Sequence, residues 1–400
     1  MQFIPQDWRR RCTHFIQATG SSWLLLAFAL LGSALAHTNS WAAQTTTEPR
    51  QKLSQKSSKT LAAKAAKKKH SSKKKPQATG TPLPLNPEVA TWEKEAALRM
   101  NMDLPWLQKT IGHAQRLALV EKLVLPASSP AAKDWGAYRE RFIEPIRIQA
   151  GLQFWKKNRE SLERAEREYG VPASVIVAII GVETLYGKNT GNFRLVDALG
   201  TLAFHFPKAH PRAAERQAFF RRELEQFLKL SLANNTDPLS VRGSYAGAMG
   251  LPQFMPSSWA QFAIDFDGDG RIDLFNSPTD AIGSVANYFK AFQWRPGMPT
   301  HYPVTLTPGQ TDMDSLLAPD ILPTFSVASF TAKGAGLQGP ALAHPGPLAL
   351  IELRNGSQPP SYVAGTENFY AITRYNWSSY YAMAVIDLAE AVSREMPNKP

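Results

Sequence analysis

Cysteine occurs once in the 400 residues, at Cys12, and it precedes the chain's one long uncharged apolar stretch instead of following it. It therefore cannot carry lipid at a mature N-terminus, and a chain cut after that stretch holds no thiol. Disulfides are excluded, and the core alone must stabilise the protein. Long apolar runs are equally scarce. Arg9-Arg10-Arg11, then Trp23 to Leu31, then Ala34-Leu35-Ala36 read as a secretory signal cleaved after Ala36. An uncleaved anchor is the alternative, although the run is short for a bilayer span. No other stretch is long enough to cross a membrane. The folded part also lacks net charge. The chain carries +12, but residues 49–80 hold eleven Lys or Arg and no acid, and residues 81–400 sum to about zero. A nucleic-acid-binding body is disfavoured, and a soluble periplasmic protein, not a lipoprotein, fits best.

Residues 37–85 are rich in Lys, Ala, Ser, Thr and Gln and poor in large apolar residues, so they read as a disordered linker. The linker serves as a solvated tether or as an electrostatic contact to anionic wall polymer or membrane surface. From Pro87 to Val124 and over residues 134–170 the apolar spacing is helical. Arg212 to Ala233, Pro278 to Phe292 and Tyr380 to Met396 read as further helices, the second opened by Thr279-Asp280 as cap-like residues. Residues 300–366 change character: Pro and Gly are frequent, and Tyr302–Leu306, Leu348–Leu353 and Tyr362–Ala364 read as strands of a small β subdomain. The fold class is mainly α (α+β), with a helical core over residues 86–299 completed by residues 367–400. There is no internal repeat.

Glu183 is the only charge in the run from Val175 to Gly187. Pro172 suits a helix start and Gly187 a stop, so length and punctuation favour a buried helix over a strand. Burial and the negative pole of the helix C-terminus both disfavour the carboxylate, so its pKa should rise toward neutrality, as a general acid requires. The competing account is a Glu neutralised by a partner such as Arg194. No second acid sits in a comparable apolar setting.

Gly243 to Trp259 is glycine-rich and carries Ser244, Gln253 and Phe254. Amides, hydroxyls and rings in a cleft suit sugars, while a tight turn between packed helices accounts for the glycines alone. Asp265, Asp267 and Asp269 alternate as in the first half of an EF-hand loop, with Asp280 placed to close an enlarged ring and the Arg271 carbonyl as a further ligand. Calcium is the expected ion, in a structural role. Sodium, magnesium or a metal-free acidic turn are alternatives. Phe369 to Tyr381 is dense in aromatics that fill a core or line a cleft.

Together Gly181-Val-Glu-Thr184, Gly243-Ser-x-Ala-Gly-Ala-Met-Gly250, Gln253-Phe-Met-Pro-Ser-Ser258, the Asp-rich loop, Asp280 to Phe289 and Thr373-Arg-Tyr-Asn376 resemble the lytic murein transglycosylase B family, over about residues 85–396. The resemblance implies a lysozyme-like helical core with an N-terminal helical part, a small β subdomain and a groove for a peptidoglycan strand. It implies Glu183 as sole acid/base, cleaving between N-acetylmuramic acid and N-acetylglucosamine without water to leave 1,6-anhydromuramoyl ends. A hydrolytic muramidase and a non-catalytic wall-binding protein are the alternatives. Tyr138, Ser244, Gln253, Phe254, Tyr288, Tyr375, Asn376 and Tyr381 match cleft positions, and Asp265, Asp267, Asp269, Arg271 and Asp280 the calcium ligands. Two departures stand out: the metal loop is one residue longer before Asp280, and residues 208–218 differ from the family's basic stretch.

Overall fold

The computed structural model describes residues 80–126 and 133–396. The expected signal segment, 1–36, and all but the last residues of the expected linker lie outside them. In chain order the elements are β1 (Thr81–Pro82), α1 (Pro87–Met100), α2 (Leu104–Gly112), β2 (Gln115–Arg116), α3 (Ala118–Leu123), α4 (Trp135–Glu140), α5 (Pro145–Lys157), α6 (Arg159–Tyr169), α7 (Ala173–Thr184), β3 (Phe193–Arg194), α8 (Leu195–Phe204) and α9 (Ala213–Ala233). They continue with β4 (Arg242–Gly243), α10 (Pro256–Phe262), α11 (Pro278–Ala291), β5 (His301–Pro303), β6 (Thr305–Leu306), α12 (Met313–Leu317), α13 (Val327–Ala332), β7 (Ala335–Gly336), β8 (Ala349–Asn355), β9 (Gln358–Gly365), α14 (Glu367–Thr373) and α15 (Ser379–Glu395).

Three apolar clusters organise these elements. In the first, α7 is surrounded by α5, α6, α11 and α15, which is why its sequence is apolar on every face. The second joins α1 to α3 with α8, α9 and α10 and takes in Phe254 and Tyr288. The third lies in the β subdomain, where β5, β9 and β8 form an antiparallel sheet in that order. Alternation along β8 serves two cores at once: Ala349, Ile351 and Leu353 face the first cluster, while Leu350 faces the third. The strand is the mechanical joint between subdomain and body.

Three differences from the sequence reading have simple causes. Ordered structure starts before residue 86, because β1 pairs with β2 (Thr81 opposite Arg116) and the fully buried Leu83 packs against Gly200 of α8. The β subdomain also contains the short helices α12 and α13. Finally, Ser277 caps α11, its hydroxyl accepting the Asp280 amide at 3.1 Å, and Asp280 is thereby released to point into the acidic loop. The helix α8, without an assignment in the sequence reading, is buried along its whole length.

Candidate active site

Helix α7 delivers Glu183 in its last turn, and the chain then leaves the helix through two consecutive left-handed residues, Leu185 at φ 50° and Tyr186 at φ 57°. Such conformations cost side-chain-bearing residues on the order of 1 kcal/mol or more each and persist only where the surroundings hold them. Here the Tyr186 ring is wedged into a notch over Gly181 and Gly151: a Cβ on either would stand 2.4 or 2.5 Å from the Tyr186 hydroxyl. Arg147 Nη1 donates to the Gly181 carbonyl at 2.6 Å, and Thr184 Oγ1 donates to the Leu251 carbonyl at 2.9 Å, fastening the helix end to the glycine-rich loop. The acid is thus held from both sides.

Glu183 is only 7% exposed, and burial pushes its carboxyl from an ordinary 4.5 up to about 8. One interaction pulls the other way: the Tyr381 hydroxyl donates to Glu183 Oε1 at 2.6 Å. Arg194 is not the partner of Glu183. It forms a two-pronged ion pair with Asp197, at 2.8 and 2.7 Å, and its Nη2 also donates to the His113 carbonyl.

Glu183 opens into a groove of about 530 Å³ along the seam of the first two clusters. Ser244, Gln253, Phe254, Tyr288, Tyr375 and Asn376 line it. Gln253, at φ 51°, is locked by Nε2 donating to the carbonyls of Gly250 (2.9 Å) and Thr190 (3.2 Å). The Tyr288 and Tyr375 hydroxyls donate to the carbonyls of Arg374 and Pro252, each at 2.6 Å, so their rings rather than their hydroxyls face the space. Asn376 Oδ1 is buried without a partner among the described residues. Among the described residues, Glu183 is the only carboxylate in the groove wall. The buried Glu223 is absent from that wall, its two oxygens accepting the amide and hydroxyl of Ser257.

Residues 84–390 match the transglycosylase SLT domain family. The chain belongs to that family. It is similar to the membrane-bound lytic murein transglycosylase B of Escherichia coli (strain K12), 40% identical over an alignment of 318 residues that covers 77% of this chain and 83% of that protein. Its fold matches the soluble lytic transglycosylase SltB1 from Pseudomonas aeruginosa with a TM-score of 0.69 at 42% identity, covering 77% of this chain and 99% of that one. It also matches Escherichia coli lytic transglycosylase Slt35 in complex with calcium (TM-score 0.68, 38% identity, 79% of this chain and 96% of that one). This transglycosylase is accordingly an enzyme of peptidoglycan, with the mainly helical, lysozyme-like fold of its relatives.

Two expected cleft residues stand elsewhere. Tyr381 is fully buried behind Glu183 and does not line the groove. Tyr138 is also outside the wall, packed with Trp135, Phe142 and Tyr380, although the charge of Glu183 reaches it and helps burial raise its pKa. The sequence reading missed Tyr245, Arg216, Phe219 and the 188–193 segment, which complete the wall. The run Gly187-Lys-Asn-Thr-Gly-Asn192 directly after the acid was the available signal.

In the acidic loop, oxygens of Asp265, Asp267 and Asp280 lie within 4.8 Å of one another. Asp280 is 1% exposed, and its oxygens accept the amides of Phe266, Asp267 and Asp273. Asp269 is not in this convergent set; its Oδ1 accepts the Arg271 amide. Three converging hard oxygen donors, one of them on the buried Asp280, fit a divalent cation of the calcium class.

Proposed function

We propose that Glu183 is the single acid/base of a non-hydrolytic cleavage of murein between N-acetylmuramic acid and N-acetylglucosamine. The observation that carries this reading is one buried carboxyl, its pKa pushed up by burial, in a groove whose wall holds no companion carboxylate among the described residues. Hydrolysing glycosidases position two carboxyls about 5 to 9 Å apart, one on each side of the bond. With one, the nucleophile must come from the substrate. Glu183 donates its proton to the glycosidic oxygen as the bond to C1 breaks, freeing the 4-hydroxyl of N-acetylglucosamine. The carboxylate then takes the proton of the muramoyl 6-hydroxyl as that oxygen bonds to C1, closing the 1,6-anhydro ring. No water is consumed, and Glu183 ends protonated as it began.

Tyr381 steadies the intermediate carboxylate. Burial and the neighbouring Glu183 hold its own pKa well above 10, so it remains a donor throughout. Ring faces of Tyr288 and Tyr375 suit the apolar faces of sugars, and the unpartnered Asn376 Oδ1 suits an acetamido N–H. Calcium held by Asp265, Asp267 and Asp280 would neutralise the loop, with Asp269 and the Arg271 carbonyl as outer candidates. Export to the periplasm by a cleavable signal, and contact of the Lys-rich segment with anionic wall or membrane, complete the proposal.

The test is mass spectrometry of muropeptides released from purified sacculi. Products one water lighter than reducing ends are expected, and Glu183→Gln should slow release by about a hundredfold or more. Reducing ends from the wild type, or equal solubilisation by the variant, would overturn the assignment.

A further inference from the structure

A second concave site lies away from the groove, where the start of α2 meets the loop after α9. It encloses about 390 Å³, and Trp106, Lys109, Asn235, Thr236 and Asp237 contribute to its wall. It adjoins Ser231 and Leu232, whereas the catalytic groove touches α9 at Phe219 and Phe220. From Phe220 to Ser231 the helix rises roughly 16 Å along its axis.

Local chemistry shapes this hollow and leaves its exposed polar side chains, Lys109, Asn235 and Asp237, open to solvent. Asp103 caps α2 by accepting the Trp106 amide at 2.9 Å, which fixes the indole in the first turn. Across from it, Asn235 turns the chain at φ 48°, the Thr236 amide donates to Ser231 at 2.8 Å, and Asp237 Oδ1 accepts the Leu239 amide at 2.9 Å. The loop is therefore rigid through its backbone. The Trp106 indole N–H, the Lys109 ammonium, the Asn235 amide and Asp237 Oδ2 make no hydrogen bond to any described residue. Trp92, buried in the core where Trp106 is only partly buried, donates its indole N–H to Glu225 at 3.2 Å.

We propose that this hollow is a second saccharide site, taking an N-acetylated sugar of the same glycan that the catalytic groove cleaves. The half-buried indole offers a face for the apolar side of a pyranose, and Asn235, Asp237 and Lys109 present amide, acceptor and donor groups to hydroxyl and acetamido substituents. A hollow of this size matches small-ligand sites. The inference rests on murein being the substrate. Its value to the enzyme is avidity: a polymer held at two points leaves more slowly than one held at one.

The experiment measures pelleting of the protein with purified sacculi, in a Glu183→Gln background so that the sacculi stay intact. Trp106→Ala should weaken binding about tenfold. Lys109→Ala combined with Asn235→Gly, which keeps the left-handed turn and touches no core residue, should weaken it in the same direction. In the active enzyme, the same changes should leave kcat/KM on a soluble murein tetrasaccharide, short enough for the groove alone, unchanged. Sacculus binding equal to the parent in both variants, or equal loss on the tetrasaccharide, overturns the second site. Absence of anhydro products from the wild type would instead sink the catalytic reading, so the two failures are separable.

Discussion

A carboxyl held neutral at pH 7 destabilises its protein only when it is forced to ionise. Glu183 titrates at about 8 in the fold against 4.5 as its ordinary value, so the folded state binds more protons than the unfolded chain between those limits. Its contribution is intact below about pH 4.5, declines as pH rises and is fully lost above about 8. Glu183→Gln, which cannot ionise, should therefore melt at nearly the wild-type temperature at pH 4 and above it at pH 9, by a few kcal/mol of stability. Thermal melts at the two pH values check this, and parallel losses in wild type and variant would show the group is not buried as described. Glu183 was legible in the sequence because one charge interrupts an apolar run. Tyr381 as its donor was not, because 198 residues separate the two and only packing joins α7 to α15. Arg194 was a plausible partner by proximity in the chain; a nearer carboxylate, Asp197, holds it instead.

Among the elements, the acidic loop and α11 act as one piece. Phe266, lying between two of the converging aspartates, packs so tightly on α11 that a Cβ on Gly283 would stand 2.2 Å from the root of its ring, and Arg164 stacks over the same ring at 4.0 Å. Gly283→Ala should cost about 1 to 3 kcal/mol by overpacking and should also reduce any stabilisation by calcium, since Phe266 cannot move without Asp265 and Asp267. Gly112→Ala, where a Cβ meets nothing within 4 Å, is the control and should be neutral or slightly stabilising. Denaturation with and without calcium reads both effects. Helices such as α9 and α11 were legible from apolar spacing and end signals within a residue or two. Helix α8 was not, because burial on all sides removes the periodicity that marks an amphipathic helix.

At the scale of the whole molecule, the groove exists because two apolar clusters meet without merging. Their seam is lined from one side by the end of α7 and from the other by Phe254 and Tyr288, with Tyr375 packed against both. The acidic loop enters α11, which carries both Asp280 and Tyr288, so a metal bound at one end would steady a groove wall at the other. Calcium should raise the melting temperature by several degrees when in hundredfold excess over its dissociation constant, and chelator should reverse the shift. Asp280→Asn should abolish it. Equal melting with calcium and chelator would remove the ion from the account.

The sequence by itself determined which acid interrupts the most apolar helix, which loop gathers carboxylates and that the body is mainly helical. These are properties of composition and spacing, written where local chemistry is unusual. Tertiary structure alone decided which side chains face the groove, that Tyr381 stands behind Glu183 rather than before it, and which three aspartates converge. Those facts depend on contacts between segments far apart in the chain, and the packing of two cores against one another fixes them where no local pattern can.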